Sequence, residues 1–143
     1  MIAYLDTSAL VKLFLLEDGS ELVRELWNGD ESVATAGVGK TELVCALAAA
    51  VRDRRFDARR MTGDIVGGTF LRSRADIVAT DPDLLDAASR LGVVHRLRAL
   101  DAIHVAAALV LRDADPVVVS WDDSQRNAVH AEGLRVFPPR LTA

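Results

Sequence analysis

Residues 116–133 read PVVVSWDDSQRNAVHAEG, and the fold turns on how that run is parsed. Val117, Val118 and Val119 form a continuous β-branched run, the pattern of a strand buried on both faces. The acidic doublet Asp122–Asp123 follows at once, then a helical stretch that ends at Gly133. A strand covered on both sides that runs straight into a helix is a unit of a parallel sheet.

The same unit recurs along the chain. IAYL (2–5) leads into SALVKLFLLE (8–17) and SELVRELW (20–27), and SVAT (32–35) precedes a long helix expected from about 38 to 54. DARRMTGDIVGGTFL (57–71) is a weaker helix, because Gly63, Gly67 and Gly68 each cost about 1 kcal/mol relative to alanine. It is expected to be short or kinked. DIVAT (76–80) is a strand, and DPDLLDAASRLG (81–92) a helix entered at Pro82 and closed by Gly92. LDAIHVAAALVLRD (100–113) is an apolar helix, and LRVF (134–137) a last strand stopped by Pro138 and Pro139. The alternation predicts one domain over residues 1–143: a three-layer α/β/α sandwich around a parallel sheet of four to five strands.

Composition narrows the function. Half of the 143 residues are hydrophobic, which excludes disorder. The single cysteine, Cys45, excludes an internal disulfide and reads as a small core residue. The N-terminus lacks the basic region of a secretory signal. The longest apolar run, AIHVAAALVL (102–111), falls well short of the roughly 20 residues of a membrane span. A soluble, cytoplasmic protein is expected. The net charge of −4 argues against a simple electrostatic nucleic-acid binder. The basic residues are nevertheless nearly all arginine and cluster over 52–74 and 90–98, either as a solvated face or as a rim that contacts phosphates.

Sheets of this kind bind ligands beyond the C-terminal ends of their strands. Four acids stand there: Asp6 after the first strand, Glu42 early in the helix after the second, Asp101 at the start of the apolar helix, and Asp122 after PVVVSW. Singly, each has a plain explanation as a helix cap or as an acid facing a helix dipole. Together, several acids in one crevice repel one another unless a cation is present. Oxygen-only donors suit Mg²⁺ or Mn²⁺ better than Zn²⁺. The chemistry typical of such a cluster is phosphodiester hydrolysis, with the ion activating water and offsetting charge on the phosphoryl oxygens.

Four segments, YLDTSALVKL, TELVCAL, LRALDAIHVAAAL and VVVSWDDSQRNAVHAEGLRV, resemble the PIN-domain ribonucleases, most closely the VapC toxins of bacterial toxin–antitoxin pairs. They span nearly the whole chain in the expected order. The resemblance implies that Asp6, Glu42, Asp101 and Asp122 form an acidic Mg²⁺ or Mn²⁺ site, with hydroxyls of Ser8 and Ser120 near the scissile phosphate. It also implies an RNA substrate, a homodimer, and a cognate antitoxin that joins it in a heterotetramer or larger complex. One departure is Ala36, which stands where a hydroxyl residue usually caps the Glu-bearing helix. His104, one turn beyond Asp101, reads as a core histidine bonded to backbone, and His95 and His130 as surface residues. The alternatives are a non-catalytic nucleic-acid-binding or regulatory module on the same fold, or a receiver-like phosphoacceptor. A receiver needs a lysine at its last strand, and this chain has only Lys12 and Lys40.

Overall fold

The computed structural model describes residues 1–139. Five strands, β1 (Ile2–Leu5), β2 (Ser32–Ala36), β3 (Ala75–Val78), β4 (Val117–Val119) and β5 (Arg135–Phe137), form one sheet in the order β3-β2-β1-β4-β5. Every pairing is parallel. The chain builds outward from β1 to β3, then crosses back to lay β4 on the other side of β1. That reversal is a topological switch point, where a crevice opens beyond the strand ends.

Helices cover both faces. On one lie α1 (Thr7–Val11), α2 (Ser20–Asn28), α3 (Val38–Arg52), α4 (Gly63–Val66) and α5 (Thr69–Arg72), packed over Ala3, Leu5, Val33 and Val119. On the other lie α6 (Pro82–His95), α7 (Ala99–Val110) and α8 (Asp123–Ala131), packed over Tyr4, Ala34 and Val118. The alternation of Ala3, Tyr4 and Leu5 between the two cores is the period-2 pleat of a strand buried on both sides. Helix α7 is buried continuously from Ala102 to Ala108, as its apolar sequence requires.

Several boundaries differ from expectation. The helix after β1 ends at Val11, and Ser20 Oγ closes the following loop by donating to Leu15 O while accepting from Glu17 N. Gly19 serves that loop at φ 87°, where an added Cβ would overlap the Trp121 ring. The glycine-rich stretch is three short pieces, a 3₁₀ turn at Ala58–Arg60 followed by α4 and α5. Helix α6 runs through Gly92 to His95, and Arg96 at φ 56° closes it instead. Cys45 is exposed, not core: the buried positions of α3 are Gly39, Leu43, Leu47 and Ala50, which put residue 45 on the outer face. His95 is half-buried and bonds Glu132 at 2.8 Å, whereas His130 is exposed as expected.

Arg74 is one arginine of the 52–74 cluster whose work is internal. Its guanidinium donates to the carbonyls of Trp27 (2.6 Å), Leu26 (3.1 Å), Gly29 (3.1 Å) and Glu31 (2.5 Å), closing the C-terminus of α2. These carbonyls otherwise lack helical partners. Arg74→Ala should lower the unfolding free energy by about 2 kcal/mol or more in urea titration, since bonds to charged donors are individually strong. Arg74→Lys should recover only part of this, because an ammonium cannot reproduce the planar fork.

Candidate active site

Asp6 follows β1 and caps α1, its Oδ1 accepting from Ala9 N at 3.0 Å and from Ser8 Oγ at 2.6 Å. Its Oδ2 accepts from Ser120 Oγ, one residue beyond β4. The pairing of Leu5 with Val119 brings these two strand ends together, continued by Asp6 N donating to Val119 O. The carboxylate is fully buried. Burial pushes it above its ordinary range, and the bonds from Ser120, Ser8 and Ala9 only partly offset this. Both hydroxyls implied to lie near a substrate therefore hold Asp6.

A chain of hydrogen bonds links the other acids. Ser120 Oγ accepts from Asp122 N at 3.1 Å, and Asp122 Oδ1 caps α8 by accepting from Gln125 N at 2.9 Å. Gln125 Nε2 donates to Asp101 Oδ1 at 3.0 Å. Asp122 is thus a cap as well as a strand-end acid. Asp101 is not a cap: α7 begins after Arg98, and Asp101 sits in its first turn. Asp123 is exposed. Glu42 lies in the first turns of α3, whose N-cap Gly37 makes no side-chain bond, consistent with the missing hydroxyl at Ala36. Its Oε1 accepts from His104 Nε2 at 2.6 Å. Burial raises the Glu42 carboxyl, but the hydrogen bonds from His104 and Thr7 outweigh that and lower it overall.

His104 is buried as expected, yet its partners are side chains and not backbone. Nδ1 meets Tyr4 Oη at 2.7 Å, and Nε2 meets Thr7 Oγ1 at 3.1 Å besides Glu42. Tyr4, Thr7 and Gln125 are site residues that sequence reasoning missed. Gln125 had a signal, since Asp122 and Gln125 match the spacing of a capping box. Here the glutamine turns to Asp101 instead of back to the cap.

A PIN-domain model matches residues 3–130. "Ribonuclease VapC49" of Mycobacterium tuberculosis is 35% identical, over 98% of this chain and 97% of its own. The chain belongs to the PIN-domain family, in its VapC group. The fold is shared with the toxin–antitoxin complex from Klebsiella pneumoniae (TM-score 0.64, 18% identity, 98% of this chain and 99% of that one). It is shared equally with VapBC2 from Rickettsia felis bound to a promoter DNA fragment (TM-score 0.63, 15% identity, 95% and 97%).

The donors of this PIN site fit a hard divalent cation in kind. Among the described residues no ion pair reaches Asp6, Asp101 or Asp122. Lys12, the basic side chain nearest in sequence to Asp6, is taken up by Glu17 at 3.1 Å and the Trp121 ring. A buried carboxylate without a counter-ion, with further carboxylates bonded into the same network, suits a bound cation. The acids are not drawn tightly together: among the described residues no three His, Cys, Asp or Glu side chains already surround one point. Gln125 and His104 hold Asp101 and Glu42, so closure on an ion requires side-chain movement.

Burial raises the Asp6 carboxyl, so folding disfavours its charged form relative to the unfolded chain. Its contribution to stability is therefore present at low pH and lost as pH rises through its folded value. In EDTA, Asp6→Asn, which keeps a capping oxygen, should melt above wild type near pH 7.5. The gain should shrink to a small remainder at about pH 3.5, just below the ordinary aspartate value of about 3.9. Thermal melts at the two pH values check this.

Proposed function

We propose that this protein is a metal-dependent endoribonuclease, the toxin of a toxin–antitoxin pair. The buried, counter-ion-free Asp6, tied through Ser120 and Gln125 to Asp122 and Asp101, carries the reading. Its relatives' names and family support the nuclease activity. Asp6, Asp101, Asp122 and Glu42 are the residues that would hold Mg²⁺ or Mn²⁺. The ion supplies an activated water and charge stabilisation at phosphorus. The chain's own part is positional: Ser8 and Ser120 orient Asp6, Gln125 spaces Asp101 from Asp122, and His104 restrains Glu42. One oxygen each of Asp101 and Asp122 has no protein donor among the described residues, leaving it for a ligand.

RNA phosphates are met by exposed arginines. Arg96 and Arg98 stand beside the start of α7, which carries Asp101, whereas Arg52, Arg54 and Arg55 stand at the end of α3, about 15 Å of helix beyond Glu42, and suit a partner. Arg59, by contrast, is engaged by Asp57 at 2.7 Å. A cognate antitoxin, as in the VapBC complexes that share the fold, covers the site, and the active unit is a homodimer that assembles with it into a heterotetramer or larger. No helix among the described residues is long and apolar enough to cross a membrane, and the cytoplasm is the place proposed for the reaction.

The non-catalytic reading draws on one observation, the absence of a converged ligand triad among the described residues. RNA cleavage assayed against Mn²⁺ and Mg²⁺ separates the two. Cleavage should require the ion and stop in EDTA, and Asp6→Asn and Asp101→Asn should each lose about 100-fold or more. Asp122→Asn should lose most activity with little change in Tm, since asparagine caps as well as aspartate. Asp123→Asn should stay active. Undiminished cleavage in EDTA contradicts the metal site, and no cleavage under any metal favours the non-catalytic module.

A further inference from the structure

We propose that His104 is a positioning residue that holds the Glu42 carboxylate in the acidic site, with the Tyr4 hydroxyl fixing the orientation of its ring. The inference rests on the reading of Glu42 as a member of that site. No part of the proposed chemistry needs an imidazole there, yet both ring nitrogens of this buried side chain are committed to side chains from three elements: Tyr4 of β1, Thr7 of α1 and Glu42 of α3. A histidine that only fills a core needs any available partners, and backbone is the commonest. This one spans the two elements that carry Asp6 and Glu42.

Glu42 needs such an anchor. Its helix starts at a glycine without a side-chain cap, and a glutamate side chain has three rotatable bonds to restrain. The helix itself is seated closely on β2, because Gly39 has no Cβ to strike Thr35 Oγ1, which would lie 2.9 Å away. Thr35 is in turn pinned, donating to Leu5 O at 2.7 Å. The backbone near Glu42 is thus placed by packing, and His104 places the carboxylate.

The bonds also assign the tautomer. A phenol carries its proton at neutral pH, so Tyr4 Oη can donate. Nδ1 accepts from it, and Nε2–H is left to donate to Glu42 Oε1. Tyr4 acts on Glu42 through the ring of His104.

The first arm of the test is imidazole ¹⁵N NMR on the intact wild-type chain. A proton on Nε2 of His104 is expected, and a ring protonated only at Nδ1 overturns the proposal. The second arm compares His104→Gln, whose amide reaches the Nε2 position, with His104→Asn, whose amide reaches only Nδ1. Mn²⁺ affinity by calorimetry and RNA cleavage are read at matched folded fraction. His104→Asn should lose about 10-fold or more in Mn²⁺ affinity or kcat, the usual scale for a residue that orients a metal-binding group. KM for RNA should hardly move. His104→Gln should restore most of the loss, and Tyr4→Phe, which keeps the ring packing, should show a smaller loss and a mixed tautomer signal. Equal behaviour of the Gln and Asn variants overturns the positioning role. If neither variant folds, Tyr4→Phe decides: an unchanged tautomer and unchanged Mn²⁺ affinity overturn it. A wild type that binds Mn²⁺ with this dependence but cleaves no RNA contradicts the nuclease reading alone.

Discussion

A carboxylate buried without a cationic partner is the constraint around which this structure is arranged. Asp6 is taken out of water at the end of the central strand and given three donors, Ala9 N, Ser8 Oγ and Ser120 Oγ. Hydrogen bonds reduce the cost of such burial but do not remove it. The fold commits a whole architecture to the position. The parallel pairing of β1 with β4 sets Ser120 opposite Asp6, and the crossover that places β4 there opens the crevice. A group this costly in the metal-free protein makes sense where a cation offsets it.

Helix α7 joins the two halves of the site. It is buried almost throughout, which fixes its axis, and its first turns present Asp101 toward Gln125 and His104 toward Glu42. One rigid helix therefore sets the spacing between the acid pair near β4 and the acid of α3. Gln125 and His104 play matching parts, each holding an acid that has no ion pair to a Lys or Arg among the described residues.

Much of this was legible in the sequence because it is written in local pattern. Strand β4, buried on both faces, announces itself as a continuous β-branched run, and Asp6 follows β1 by adjacency. What could not be read depends on helical phase or on partners distant in the chain. Cys45 lies in an apolar segment, but the register of α3 turns it outward. Gly92 looked like a stop signal, yet α6 continues through it because Arg96 takes the left-handed closing position. His104 was legible as buried, but Tyr4 is a hundred residues away and Glu42 sixty-two, so its network was not. The arginine cluster divides the same way: Arg74 proves to be a clamp on α2, which no charge count could distinguish from a phosphate contact.

The decisive quantity is the position of a divalent ion. Crystals soaked in Mn²⁺ and measured at a wavelength where manganese scatters anomalously give that position directly. An anomalous peak is expected in contact with Asp6 and with at least one of Asp101, Asp122 and Glu42. A manganese peak only at other sites, in a preparation that cleaves RNA with Mn²⁺, would contradict that placement.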